Sequence, residues 1–210
     1  MLRALAVPAA GAIGYLAGVL PSAQIVARLA SNGVDPQRDG TGNPGAANVA
    51  GLLGRSAGAA VFVLDTAKAF GAGRAGAAIA GPVGANVAAS AAVIGHCYPA
   101  TRGFRGGKGV AASFGQMLAT FPAYLPIDLG LGVVAARSDV WKGRPVATMA
   151  ATCGLWTALA ALWANRSLPN LWAPRATGAL PVAAAVSSAA IVARFAAEAG
   201  AAEDRQEPAE

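Results

Sequence analysis

The sequence predicts an all-α, polytopic integral membrane protein, a bundle of about seven transmembrane helices. Three observations predict it. Of 210 residues, 55% are apolar and only 12% charged, about half the charged share of an ordinary soluble domain. Five segments, residues 4–27, 75–101, 109–127, 145–165 and 176–193, contain no Asp, Glu, Lys or Arg, and each has roughly the length that a bilayer-spanning helix needs. Lys and Arg are also shared unevenly among the connections between spans.

Taken in order, the first span ends before Arg28. Met1-Leu-Arg ahead of an apolar run also fits a cleavable signal peptide, but the run is longer than a usual apolar leader segment and further spans follow. Residues 56–73 are apolar except for Asp65 and Lys68, three apart and on one helical face. They read as a second span that turns this pair inward as a buried structural ion pair. Arg74 separates it from the third span, residues 75–101. Residues 109–136 divide at Phe121-Pro122 into a short helix and a second one carrying Asp128. Residues 145–165 and 176–193 complete the bundle. Small residues such as Gly11-x-x-Gly14 and Gly14-x-x-x-Gly18 allow close helix contacts, although a GC-rich genome would favour the same residues. The domain organisation is one membrane domain over residues 1–197 and a disordered acidic tail over 198–210, where bulky residues disappear.

The charges orient this bundle. With the N-terminus outside, eleven of the sixteen Lys and Arg fall in cytoplasmic loops and the tail, and four at the outer ends. That is the asymmetry expected of a cytoplasmic face. The net charge of +6 suits anionic headgroups and needs no nucleic acid. Cys97 and Cys153 have no metal or redox spacing and read as small core residues.

Two glycine-rich loops interrupt the apolar pattern, both on the cytoplasmic side. The first is Gly40-Thr-Gly-Asn-Pro-Gly-Ala-Ala-Asn48. Gly40, Gly42 and Gly45 permit positive φ, Thr41 supplies a hydroxyl, and Asn43 and Asn48 supply amide donors, which equips the loop to hold phosphate oxygens ahead of a helix. A polar loop rich in turn formers is the plainer reading. The second, Gly103-Phe-Arg-Gly-Gly-Lys-Gly109, adds Arg105 and Lys108, and Gly106-Gly107-Lys108-Gly109 opens a helix whose N-terminus carries its own positive partial charge. It lacks the spacing of a nucleotide P-loop. His96, the single histidine, ends a span about a dozen residues before Lys108 at the same face. It is a candidate for a functional or ligand-orienting role.

Together these loops resemble the bacterial acyl-phosphate-dependent glycerol-3-phosphate acyltransferases, integral membrane enzymes of phosphatidic acid synthesis. Gly40 to Val49 resembles the family's first motif, and Gly95-His-Cys-Tyr-Pro99 through Gly103 to Ala111 its second. Leu64-Asp-x-x-Lys68 between them is similar too. The resemblance implies transfer of an acyl group from acyl phosphate to the 1-hydroxyl of glycerol 3-phosphate in the bacterial cell membrane, giving lysophosphatidic acid and phosphate. It implies catalytic roles for Thr41, His96 and Lys108, and substrate binding by Arg38, Gly40, Gly42, Asn43, Gly45, Asn48, Arg105, Gly106, Gly107 and Gly109. Partners would be the two substrates and membrane lipids, with the acyl tail between helices. No metal, nucleotide or covalent acyl-enzyme is called for, so the expected cofactor is none.

The sequence also departs from that family. Thr41 stands where the family usually has Ser, Ala47 where it has Thr, Gly51 where it has a substrate-binding Arg, and Ala147 near a functional Ser. The family's C-terminal motif carries His, Arg and Asn, whereas Arg194-Phe-Ala-Ala-Glu-Ala-Gly200 has neither His nor Asn. Two alternatives therefore stay open: a non-catalytic relative that binds acyl phosphate or lipid head groups, and a small anion transporter. Arg38, Arg144 and Arg194 are the cations that could compensate for the missing motif.

Overall fold

A computed structural model describes residues 2–30 and 33–203. Among these the chain is helical with connecting turns: α1 (Leu2–Val19), α2 (Ser22–Ala30), α3 (Ala46–Leu53), α4 (Arg55–Cys97), α5 (Val110–Thr120), α6 (Leu125–Arg137), α7 (Pro145–Arg166) and α8 (Ala179–Glu203). Pro21 ends α1, because the residue before a proline is driven out of the helical region.

A straight helix the length of α4, 43 residues, would reach about 65 Å, twice a hydrocarbon core of about 30 Å. It folds back instead. Ala80 and Gly81 leave helical geometry, and Gly81 takes φ +61° with ψ −149°, a conformation close to glycine-only. Pro82 follows, a residue suited to a helix start. The arms 55–79 and 82–97 then run side by side on small residues. A Cβ on Gly76 would overlap the Gly84 carbonyl, and one on Gly73 would lie 3.2 Å from the Ala89 Cβ. The span boundary expected at Arg74 thus sits at Ala80–Gly81. Arg74 is an exposed helical residue, and the turn itself is apolar.

The bundle grows around this hairpin. Gly14 and Gly18 of α1 lie directly against the backbone of Ala88 and Ala92, and Gly115 of α5 against that of Thr66. Close approach through glycine is how membrane helices gain van der Waals contact without a hydrophobic driving force. Polar side chains add to it: Ser187 of α8 donates to Gln116 Oε1 of α5 at 2.7 Å, and Ser90 of α4 lies 2.9 Å from Ser187. At the other end Phe121 stacks on Tyr124 and meets Trp163 edge-on.

Among the described residues four helical stretches are long and apolar enough to cross a membrane, the α4 hairpin with both its arms being one of them, and α5 with α6 would form a fifth if the pair is one span. Length and composition do not confirm a count of seven separate spans. The 11 residues of α5 and the 13 of α6 are each too short to cross alone, and they meet at a bend of 116°. The chain is nonetheless a multi-pass membrane protein by composition and helix length. At its C-terminal end α8 continues through Glu198 to Glu203, six residues into the stretch expected to be a disordered tail. Residues 196–203 are mostly Ala and Glu, strong helix formers. Arg205 and the rest of that tail, from 204 to 210, lie outside the described residues.

Candidate functional site

The first loop is built from local hydrogen bonds. The Asp35 carbonyl accepts from the N–H of Arg38 at 2.9 Å and of Asp39 at 2.8 Å, and the Asp39 carboxylate in turn accepts from the Asp35 N–H at 2.8 Å. Gly40 and Gly42 have φ +63° and +72°. Asn48 braces this turn: its amide donates to the carbonyls of Pro36 and Asp39, at 3.0 and 3.1 Å, and accepts from the Thr41 N–H at 2.9 Å. Both amide hydrogens are committed, so Asn48 shapes the loop and leaves no donor for a ligand. A Cβ on Gly40 would overlap Asn48 Oδ1. Gly45 serves as N-cap of α3.

The second loop lies on the end of α4. Gly106 and Gly107 donate their N–H groups to the carbonyls of Cys97 and His96, at 3.0 and 3.1 Å. This contact requires glycine: a Cβ on Gly106 would sit 2.6 Å from Pro99 Cδ and 2.7 Å from the Cys97 carbonyl, and one on Gly107 would strike His96 Nε2. Gly109, φ +87°, is the N-cap of α5. Two side chains from elsewhere hold the loop. Arg194 of α8 donates to the Gly106 carbonyl at 2.8 Å, and Gln37 of the first loop donates to the Arg105 carbonyl at 2.9 Å.

The two loops meet in adjoining clefts. One, of about 630 Å³, brings Arg38, Gly40, Thr41 and Gly42 together with Lys108, Phe195 and Glu198. The other, of about 620 Å³, shares Arg38, Thr41, Gly42 and Glu198 and adds Asn43, Arg102, Arg105, Gly106 and Arg194. Lys108 Nζ is 2.8 Å from Glu198 Oε1 and 4.9 Å from the Phe195 ring centroid. Five cations against one carboxylate give a concave, water-accessible surface suited to a phosphorylated ligand. Arg38 and Arg194 are among them. Arg144 lines neither cleft, although its neighbour Pro145 lines the first.

His96 is elsewhere. It is buried beneath the second loop with its Nδ1 3.0 Å from Lys68 Nζ and 3.4 Å from Asp65 Oδ1. Lys68 Nζ is 2.7 Å from Asp65 Oδ1 and donates to the Leu20 carbonyl at 3.1 Å. These groups, with Gln24, Arg102 and Gly107, line a cavity of only about 10 Å³, room for one water at most. The structure thus does not bring His96 into the clefts that hold Thr41 and Lys108. Its place in the last turn of α4 points it at Asp65 across the hairpin, where it supports Gly106 and Gly107 without reaching the Thr41–Lys108 cleft.

Four contributors escaped the sequence reading: Gln37, Arg102, Phe195 and Glu198. Glu198 and Phe195 carried no signal, because α8 was expected to end before the acidic stretch. Gln37 lies in a polar loop where any residue could have faced water.

A family model described as glycerol-3-phosphate acyltransferase matches residues 9–200. A glycerol-3-phosphate acyltransferase of Anaeromyxobacter sp. (strain Fw109-5) is 38% identical over 185 residues, covering 81% of this chain and 85% of that relative. One of Thermoanaerobacter sp. (strain X514) is 40% identical over 121 residues, 58% of this chain. The match spans 61% of the length of that Thermoanaerobacter relative. Among solved structures, the glycerol 3-phosphate form of PlsY, an integral membrane glycerol 3-phosphate acyltransferase, superposes with a TM-score of 0.70 at 25% identity, covering 96% of this chain and 94% of that one. Its lysophosphatidic acid form gives 0.69.

Proposed function

This chain belongs to the glycerol-3-phosphate acyltransferase family, and from that premise we propose that it transfers a fatty acyl group from acyl phosphate to the 1-hydroxyl of glycerol 3-phosphate. The observation that carries this reading is the shared cleft, in which Thr41 and Gly42 of one glycine loop face the same space as Lys108 of the other. An acyl phosphate is a mixed anhydride with a good leaving group. The protein mainly has to align two phosphorylated substrates and stabilise negative charge. The acceptor oxygen attacks the acyl carbon, the bond to phosphate breaks, and the hydroxyl proton leaves with the phosphate as hydrogen phosphate.

In this scheme Thr41, Gly42 and Asn43 hold the acyl phosphate, and Lys108 with Arg38 holds the acceptor's phosphate. Arg194 keeps Gly106 in place, and His96 supports the loop from below. An apolar cavity of about 200 Å³ begins at Val110, two residues after Lys108, and runs past Met117 to Trp156; it suits the start of an acyl tail. The excess of Lys and Arg in the loops on this side favours a cytoplasmic site in a bacterial cell membrane.

One observation favours a second reading, a non-catalytic relative that binds acyl phosphate or lipid head groups: α8 brings Arg194, Phe195 and Glu198 to the clefts, and neither His nor Asn. Phosphate release by the lipid-reconstituted protein given palmitoyl phosphate, with and without glycerol 3-phosphate, separates the two. The expected result is acceptor-dependent release that Lys108→Ala lowers about 30-fold, the loss of one charge-assisted contact. Binding of acyl phosphate by a folded protein without any release would establish the second reading instead.

A further inference from the structure

Resting on the reading that the Thr41–Lys108 cleft takes a phosphomonoester, we propose that Glu198 is a charge filter on that cleft, admitting dianionic phosphomonoesters and turning away phosphodiester monoanions and carboxylates. A cationic cleft at a membrane surface faces a problem of numbers. It is bathed in phosphodiester headgroups, many of them anionic, and a cluster of Arg and Lys attracts any of them. Selectivity needs an element that disfavours the wrong anion.

Glu198 has the geometry for that task. Its carboxylate already occupies the anion position on Lys108, at 2.8 Å, with the two side chains only 29% and 25% exposed. Phe195, one turn earlier on α8, sets its ring under the same ammonium at 4.9 Å. Lys108 is thus held between an aromatic face and a carboxylate from one helix, so an anion that takes up the Glu198 position on the ammonium has to displace that carboxylate.

The displacement is an exchange of anions. A phosphodiester or a carboxylate brings a single negative charge and replaces like with like, so it gains little. A phosphomonoester near neutral pH carries close to two charges and three strong acceptor oxygens. It can hold Lys108 while it also engages Arg38 and the N–H groups of the first loop. The expelled carboxylate has somewhere to go, because Glu198 also lines the adjoining cleft with Arg102, Arg105 and Arg194.

Calorimetry on the full chain in phosphatidylcholine nanodiscs tests this, with glycerol 3-phosphate as the monoester probe and glycerophosphoglycerol as the diester probe. Wild-type protein is expected to bind the monoester at least about tenfold more tightly than the diester. In Glu198→Gln the diester should gain about fivefold in affinity relative to the monoester, the scale of one partly exposed ion pair. Glu198→Ala should repeat the shift, and unchanged thermal unfolding of both variants excludes a folding defect as its cause. A monoester-to-diester ratio that stays fixed in both variants, or falls through loss of monoester binding alone, overturns the filter and leaves the functional reading intact. Wild-type protein that binds neither probe overturns both.

Discussion

Asp65→Ala should destabilise the protein by about 3–5 kcal/mol, the cost of leaving a buried charge without its partner. The Lys68 side chain is 6% exposed, and the remaining contacts of its ammonium are His96 Nδ1 and the Leu20 carbonyl. Neither neutralises it. Thermal unfolding in detergent, followed by tryptophan fluorescence, measures the loss. The double variant Asp65→Ala/Lys68→Met removes both charges and should recover much of the stability, since an apolar replacement of a buried pair often costs little. A single variant that unfolds like the wild type, or a double variant no better than the single, would remove the pair from its structural role.

Gly106→Ala should cost activity at least about 100-fold, the scale at which a small misplacement of catalytic groups acts. A Cβ there collides with the His96 carbonyl, the Cys97 carbonyl and Pro99 Cδ. These belong to the backbone and to a ring, so neither can rotate away. The loop must lift, which breaks the two N–H bonds to α4 and moves Lys108. Gly51→Ala is the control, because a Cβ on Gly51 meets nothing within 4 Å and it lies in helix α3, where alanine is the better residue. Acceptor-dependent phosphate release compares the two. Equal rates would show that the second loop does not depend on its seat against α4.

What the sequence discloses and what it hides separate along one physical line. Local chemistry is legible: charge-free runs mark α1, α7 and α8, Phe121-Pro122 marks the α5–α6 bend, and the glycines of both loops stand out between apolar runs. The α4 turn was misplaced because the sequence offers a charged residue, Arg74, as the boundary. The chain in fact turns on the apolar Ala80-Gly81-Pro82, where backbone geometry rather than polarity ends the helix.

Long-range partners are not legible at all. The carboxylate on Lys108 comes from 90 positions downstream in a stretch that composition alone marks as a tail, and the Gln37 bond to Arg105 spans 68 positions. His96 illustrates the same limit from the other side. Its closeness to Lys108 in the chain suggested a shared site, but the last turn of α4 faces the interior of its own hairpin.

On the proposed reading, the Thr41–Lys108 cleft joins an acyl group to glycerol 3-phosphate even though α8 brings no His or Asn to it. The most direct measurement supplies carbon-labelled glycerol 3-phosphate and palmitoyl phosphate to the reconstituted protein and follows the label into lipid by mass spectrometry. That reading predicts labelled lysophosphatidic acid, formed in equal amount to the phosphate released and about 30-fold slower in Lys108→Ala. Phosphate released without labelled lipid, or no turnover by a folded protein, would contradict it.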